Sequence, residues 1–356
     1  LKRLPNLDAL RFILASLVIL FHLPQLSKNQ GLPFFNGFPV FERGTEAVYM
    51  FFVLSGFLII KQIYEDKQDD IFSIKKFYIR RMLRILPLYY LIVFFGLFFY
   101  NVLLPILGIP FEITYQLPEA LVLTIFFLPN VFSHLYHPGG ILEILWSIGI
   151  EEQFYLMIAP LLFFINKHRV LLVLVLLTVG YFMMYHSEVF YFLEDYRFMY
   201  FYLFFGGIIA ILEVKGVLKF LKSHTLIPLV IVSLTLVYFV TDFFKTGHSL
   251  PYNLISTLLF GLFIHTIAYN NKGFEIKNAY INYLGTISYG IYMYHVIALN
   301  LTVFVFLKLQ KVLLLDDTFT ILCINMMTFV TTFIIAHLSY KYFETYFLNL
   351  KRKFRT

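Results

Sequence analysis

Arg11 and His22 stand eleven residues apart in an apolar run over about 8–26. At 100° per residue this spacing passes three helical turns by about 20°, so both side chains fall on one stripe, about 16 Å apart along the axis. An ionisable group inside a bilayer is costly, roughly 2.5 to 3.5 kcal/mol for an arginine, and marks a functional position by default. A guanidinium can stabilise an oxyanion, and an imidazole can move a proton at neutral pH. The competing reading is that Arg11 snorkels to the inner interface while His22 is a hydrogen-bonded packing residue.

Other residues share this character. Glu151 and Glu152 are adjacent carboxylates near the start of the apolar run 145–166. Neighbours on a helix point about 100° apart, so one of them faces any given cavity and the other needs its own partner; alternatively both cap the helix start. Arg81 and Arg84, three apart, share a helix face beside Lys75 and Lys76, where planar guanidinium groups can grip phosphates. Such a cluster also serves simply as a topology signal or an anionic-lipid contact. His295, in the run 281–307, falls at a depth like that of His22, so the two imidazoles either line one cavity or belong separately to the core. His134 and His137 have the spacing of a metal pair but no third ligand nearby, so no metal is expected.

The elements that position these residues follow from composition. Of 356 residues, 60% are apolar and only 14% charged, against roughly a quarter charged in soluble chains. Ten apolar runs are long enough to cross a bilayer as helices: about 8–26, 46–63, 84–106, 145–166, 169–186, 197–213, 225–243, 250–270, 281–307 and 318–348. The piece from Ala120 to Leu128, bracketed by Pro118 and Pro129, is too short to span. With the N-terminus inside and Arg11 left out as intramembrane, 21 Lys and Arg fall on inner segments, Lys2, Arg3, Lys272 and Arg355 among them, and six on outer ones. Counting the short piece as a span spoils that alternation.

The expected fold is therefore an all-α, polytopic integral membrane bundle of about ten transmembrane helices. Both termini are cytoplasmic, and one short re-entrant or interfacial segment lies near 118–129. A single transmembrane domain covers 1–348, and 349–356 form a basic cytoplasmic tail. Neither a cleavable leader nor an appended soluble domain is expected. The lone Cys323 excludes an internal disulfide. The net charge of +7 is explained by the inner loops, so no nucleic-acid partner is implied.

Four motifs occur in order within the first 160 residues: LDALR at Leu7–Arg11 followed by His22, FFVLSGFLI at Phe51–Ile59, RRMLRILP at Arg80–Pro87, and WSIGIEEQFYL at Trp146–Leu156. Together they resemble the membrane acyltransferase-3 family. The C-terminal half resembles it more loosely, through SYGIYMYH at Ser288–His295 and Tyr342–Glu344, with Ile297 and Tyr346 where members often carry proline.

The resemblance implies a multi-pass enzyme of the bacterial cytoplasmic (inner) membrane. It would move an acyl group, usually acetyl, from cytoplasmic acyl-CoA to a hydroxyl of a carbohydrate acceptor: a polysaccharide, a lipid-linked glycan or peptidoglycan. It carries over His22, Arg11 and Glu151 as catalytic positions and Arg81 and Arg84 as functional positions. On charge grounds these two arginines, helped by Lys75 and Lys76, are expected to hold the phosphates of acetyl-CoA as co-substrate. Glu152, His295, Tyr155 and Ser55 are the candidate acceptor contacts. His22 is expected to act as general base or as acyl carrier, the two routes remaining open. An oligomer is left open, and a proton-coupled transporter or flippase is the alternative class, since intramembrane Arg, His and Glu also mark proton relays.

Overall fold

The structure, a computed structural model, describes residues 4–223, 226–269, 275–313 and 315–354. Lys2, Arg3, Lys272 and Arg355, which the charge count assigns to the inner side, lie outside the described residues, as do the last two residues of the expected tail. The principal helices are α1 (Leu7–Asn29), α2 (Gly44–Gln68), α3 (Ile74–Phe98), α4 (Leu117–Ile125), α5 (Pro129–Tyr136), α6 (Trp146–Phe164) and α7 (Val170–Tyr185). They continue with α8 (Tyr200–Val214), α9 (Leu226–Val240), α10 (Ser249–Ala268), α11 (Ala279–Thr286), α12 (Ser288–Leu309), α13 (Asp317–Ser339) and α14 (Thr345–Arg352). No β-strand occurs among the described residues.

Seven helical stretches among the described residues are long and apolar enough to cross a bilayer, which makes the chain a multi-pass integral membrane protein. The fifth, sixth and seventh expected runs appear as α7, α8 and α9, of 16, 15 and 15 residues. At 1.5 Å per residue these are about 22 to 24 Å long, short of a hydrocarbon core of about 30 Å. The segment near 118–129 is likewise resolved into short pieces. Its nine-residue α4 is about 13 Å long with proline in the first turn. Phe127 turns the chain in a left-handed conformation before Pro129 opens α5.

The chain falls into two compact units, one of Leu1–Lys61 with Phe205–Tyr340 and one of Gln62–Phe204 with Lys341–Thr356. In the first unit α1 packs along α11 and α12, α12 along α13, and α9 along α10. Lipid offers apolar faces little reason to prefer one another, so helices in a membrane associate where small residues allow backbones to approach. Gly285 on α11 lies directly against the Asp8 carbonyl of α1, and Gly206 against the Val53 carbonyl of α2, in each case with no room for a Cβ. Ala9 and Ala15 of α1 are fully buried.

In the second unit α3 packs against α6 and α14, and α5 against α4 and α6. The basic run that opens α3 is helical throughout and begins at Ile74, ten residues before the apolar run does. Ser73 supplies the start by accepting the Lys76 backbone N–H through its side chain, and Lys, Arg, Met and Leu sustain it. Pro160 inside α6 cannot donate to the Leu156 carbonyl one turn earlier. The Tyr78 hydroxyl of α3 donates to that carbonyl instead, at 2.8 Å.

Candidate active site

In the first unit, unbroken helix over Leu7–Asn29 keeps Arg11 and His22 in the register their spacing requires. Arg11 is half-buried, and its Nη1 donates to Asp8 Oδ1 at 2.7 Å, one turn towards the helix start. This ion pair neutralises the guanidinium within its own helix. The half-buried His22 ring meets Phe21 edge-on at 5.0 Å between centroids and lies 5.1 Å from the His295 ring of α12. His295 is completely buried, and its Nδ1 hydrogen-bonds the Tyr292 carbonyl. Two imidazoles from opposite ends of the sequence are thus brought to one place. Ser55 is half-buried on α2.

In the second unit, Arg81 is half-buried, with Nη2 donating to Gln62 Oε1 at 3.3 Å and the guanidinium 5.8 Å from both the Phe77 and Tyr155 ring centroids. Tyr155 donates to Glu151 Oε2 at 2.6 Å, an i, i+4 pair on α6. Glu152 points elsewhere and is buried, its Oε1 without a hydrogen-bond partner among the described residues. Both carboxylates sit in the second turn of α6, and its first turn holds no acid, so neither caps the helix. Gln153 faces a third direction, donating to the Phe127 carbonyl and to Asn130 Oδ1 at 2.9 Å and accepting from Tyr200, which fastens α6 to α5. Lys75, Lys76 and Arg84 are exposed.

Spacing alone singles out Arg81 and Arg84 and passes over Arg80, yet Arg80 is the buried member, 3.7 Å from Asp66. Lys351, assigned to the tail, lies on α14 against α3, where burial, and after it the charges of Arg84, Arg81 and Arg80, pull its ammonium pKa down to about 7. Arg84 and Lys351 make no ion pair among the described residues. This surplus of positive charge can hold a polyanion.

Two further polar clusters are invisible in the spacing of the motifs. Arg43, by sequence only an outer-loop charge, is 2% exposed and donates to the Thr241 carbonyl at 2.7 Å, Asp242 Oδ1 at 2.8 Å and Tyr252 Oη at 3.1 Å. It also lies 3.4 Å from Glu46, to which Tyr252 donates. His265 and Glu213 form a second pair at 2.8 Å. No group of three or more His, Cys, Asp or Glu side chains able to hold a metal occurs among the described residues.

The chain matches the model of a family described as an acyltransferase domain over residues 4–340. It is similar to the peptidoglycan O-acetyltransferase OatA of Listeria monocytogenes, at 26% identity over 97% of this chain and 56% of that protein. It also resembles the putative peptidoglycan O-acetyltransferase YrhL of Bacillus subtilis, at 29% identity over 44% of this chain and 23% of the relative. A third relative, an uncharacterized protein of Haemophilus influenzae, is 32% identical over 36% of this chain and 54% of its own length. The chain therefore spans about half or less of the length of each. No solved structure matches it. With its motifs in order and the match running almost from end to end, the chain belongs to the acyltransferase-3 family of membrane proteins.

Proposed function

We propose that this chain is the membrane-embedded part of an O-acetyltransferase that moves an acetyl group from acetyl-CoA to a hydroxyl of peptidoglycan. The observation that carries the reading is the pair of His22 and His295 imidazoles set among membrane helices, where an ordinary packing position would be apolar. The peptidoglycan acceptor is taken from the similarity to OatA along 97% of the chain.

Ten crossings with both ends in the cytoplasm, formed as one membrane domain in the bacterial inner membrane, suit the distribution of Lys and Arg, with α7, α8 and α9 crossing a locally thinned bilayer. The donor's polyanionic head would then sit at Arg81 and Arg84, near Lys75, Lys76 and Lys351, while its slender arm carries the thioester upward. Arg11, held by Asp8, stabilises the oxyanion of the tetrahedral intermediate. His22 removes the hydroxyl proton, Glu151 orients the reacting groups through Tyr155, and Glu152 and Ser55 meet the acceptor.

The test is acetyl transfer or thioester hydrolysis from labelled acetyl-CoA by purified protein in detergent. Wild-type protein should consume the thioester, and folded His22→Ala protein should lose the activity entirely. Near-normal turnover by that variant discards His22 as the base, and inert wild-type protein discards the donor.

A further inference from the structure

His22 and His295 differ in their surroundings although their rings are neighbours. His22 is half-buried, whereas His295 behind it is 0% exposed. The Tyr292 carbonyl against His295 Nδ1, at 2.5 Å, can only accept, so Nδ1 carries the hydrogen. In a neutral imidazole Nε2 is then a hydrogen-bond acceptor. This Nε2 is buried and has no hydrogen-bond partner among the described residues. An acceptor left unpaired in such a setting is unfavourable and calls for a donor.

The adjacent ring can supply one. Two imidazoles joined end to end by an N–H···N hydrogen bond of about 3 Å have centroids about 5 Å apart, because each ring adds about 1 Å. The observed separation is 5.1 Å, at 37° between planes. Hydrogen bonds at such sites often close only when the reacting state forms.

Building on the reading of His22 as the base, we propose that His295 is its positioning residue, with Nε2 accepting the N–H of His22 and so leaving the second His22 nitrogen free for the acceptor hydroxyl. That hydroxyl first displaces the Gln25 side chain, which hydrogen-bonds His22 in the resting structure. The hydroxyl proton passes to that free nitrogen, its oxygen bonds to the acyl carbon, and the carbon–sulfur bond breaks. The same proton then passes from His22 to the departing thiolate. Throughout, the other N–H of His22 stays on His295. A neutral imidazole, its tautomer set by a backbone carbonyl, fills the place that a buried carboxylate holds in a hydrolase triad.

Two variants of the full chain test this. His295→Phe keeps a ring and removes the acceptor, whereas His295→Gln places an amide oxygen near the lost nitrogen. With labelled acetyl-CoA, His295→Phe should lower kcat at least tenfold with KM within about twofold, and His295→Gln should recover a substantial part. Equal kcat for His295→Phe and wild type overturns the proposal, as does the same loss in both variants when both are folded. Ring-nitrogen NMR of 15N-histidine-labelled protein gives a readout independent of turnover, with the His22 signals assigned by their disappearance in His22→Phe. They should move in His295→Phe; unmoved signals overturn the proposal. Should His22→Ala remain active, the base reading falls, while the nitrogen signals still decide whether His295 holds His22.

Discussion

Arg80 meets Asp66 at 3.7 Å with side chains only 10% and 15% exposed, so a nearly buried ion pair ties the start of α3 to the end of α2 within the second unit. Removing one member of such a pair strands the other charge. Asp66→Ala should therefore cost roughly 3 kcal/mol, read as lowered resistance to denaturant in detergent. Replacing both residues, as Asp66→Leu with Arg80→Met, should restore most of the loss. If the double variant is no better than the single one, desolvation of Arg80 is not the cause.

The Tyr78–Leu156 hydrogen bond gives a cleaner cycle. Tyr78→Phe should cost about 1 kcal/mol by leaving a carbonyl unpaired. In a Pro160→Ala background the new N–H takes that carbonyl, and the cost of Tyr78→Phe should fall close to zero. A cost that is the same in both backgrounds removes the link between the proline and the tyrosine.

Gly285 touches the Asp8 backbone, so Gly285→Val should push α11 away from α1 and reduce the yield of folded protein. Gly180→Val, at a helical glycine with open space around it, is the control and should be tolerated. Size-exclusion profiles of the two proteins in detergent distinguish the outcomes.

Coenzyme A binding should weaken by several-fold or more in the Arg81→Ala, Arg84→Ala double variant, and to a smaller degree in Lys351→Ala. Binding by the wild-type protein should weaken as salt is raised, since the exposed cations are screened. Titration with coenzyme A at two salt concentrations reads both effects. Unchanged affinity in the double variant makes the cluster a lipid contact rather than the donor site.

Much of the site can be read along the chain because its residues violate a simple rule. Arg11, His22 and His295 stand out from apolar runs as ionisable side chains, and the helical register of the first two follows from counting residues. The i, i+4 relation of Glu151 to Tyr155 is equally local. By contrast, the basic run offers five Lys and Arg within ten residues, Lys75, Lys76, Arg80, Arg81 and Arg84. Which of them is buried depends on where Asp66, Gln62 and the Tyr155 ring lie across from it. Lys351 looks like part of a tail because nothing near it in sequence reveals that α14 packs on α3.

Sequence by itself determined that the chain is helical and membrane-embedded, and how far along each run its ionisable groups sit. Inside hydrocarbon every backbone polar group must be satisfied within its own segment, so composition and length suffice for that conclusion. Tertiary structure alone decided the partners: His295 beside His22, Asp66 beside Arg80, Tyr78 beneath the carbonyl freed by Pro160. Helices surrounded by lipid choose neighbours by close steric fit, as Gly285 does against Asp8, and a three-dimensional fit leaves no periodic trace in the order of residues.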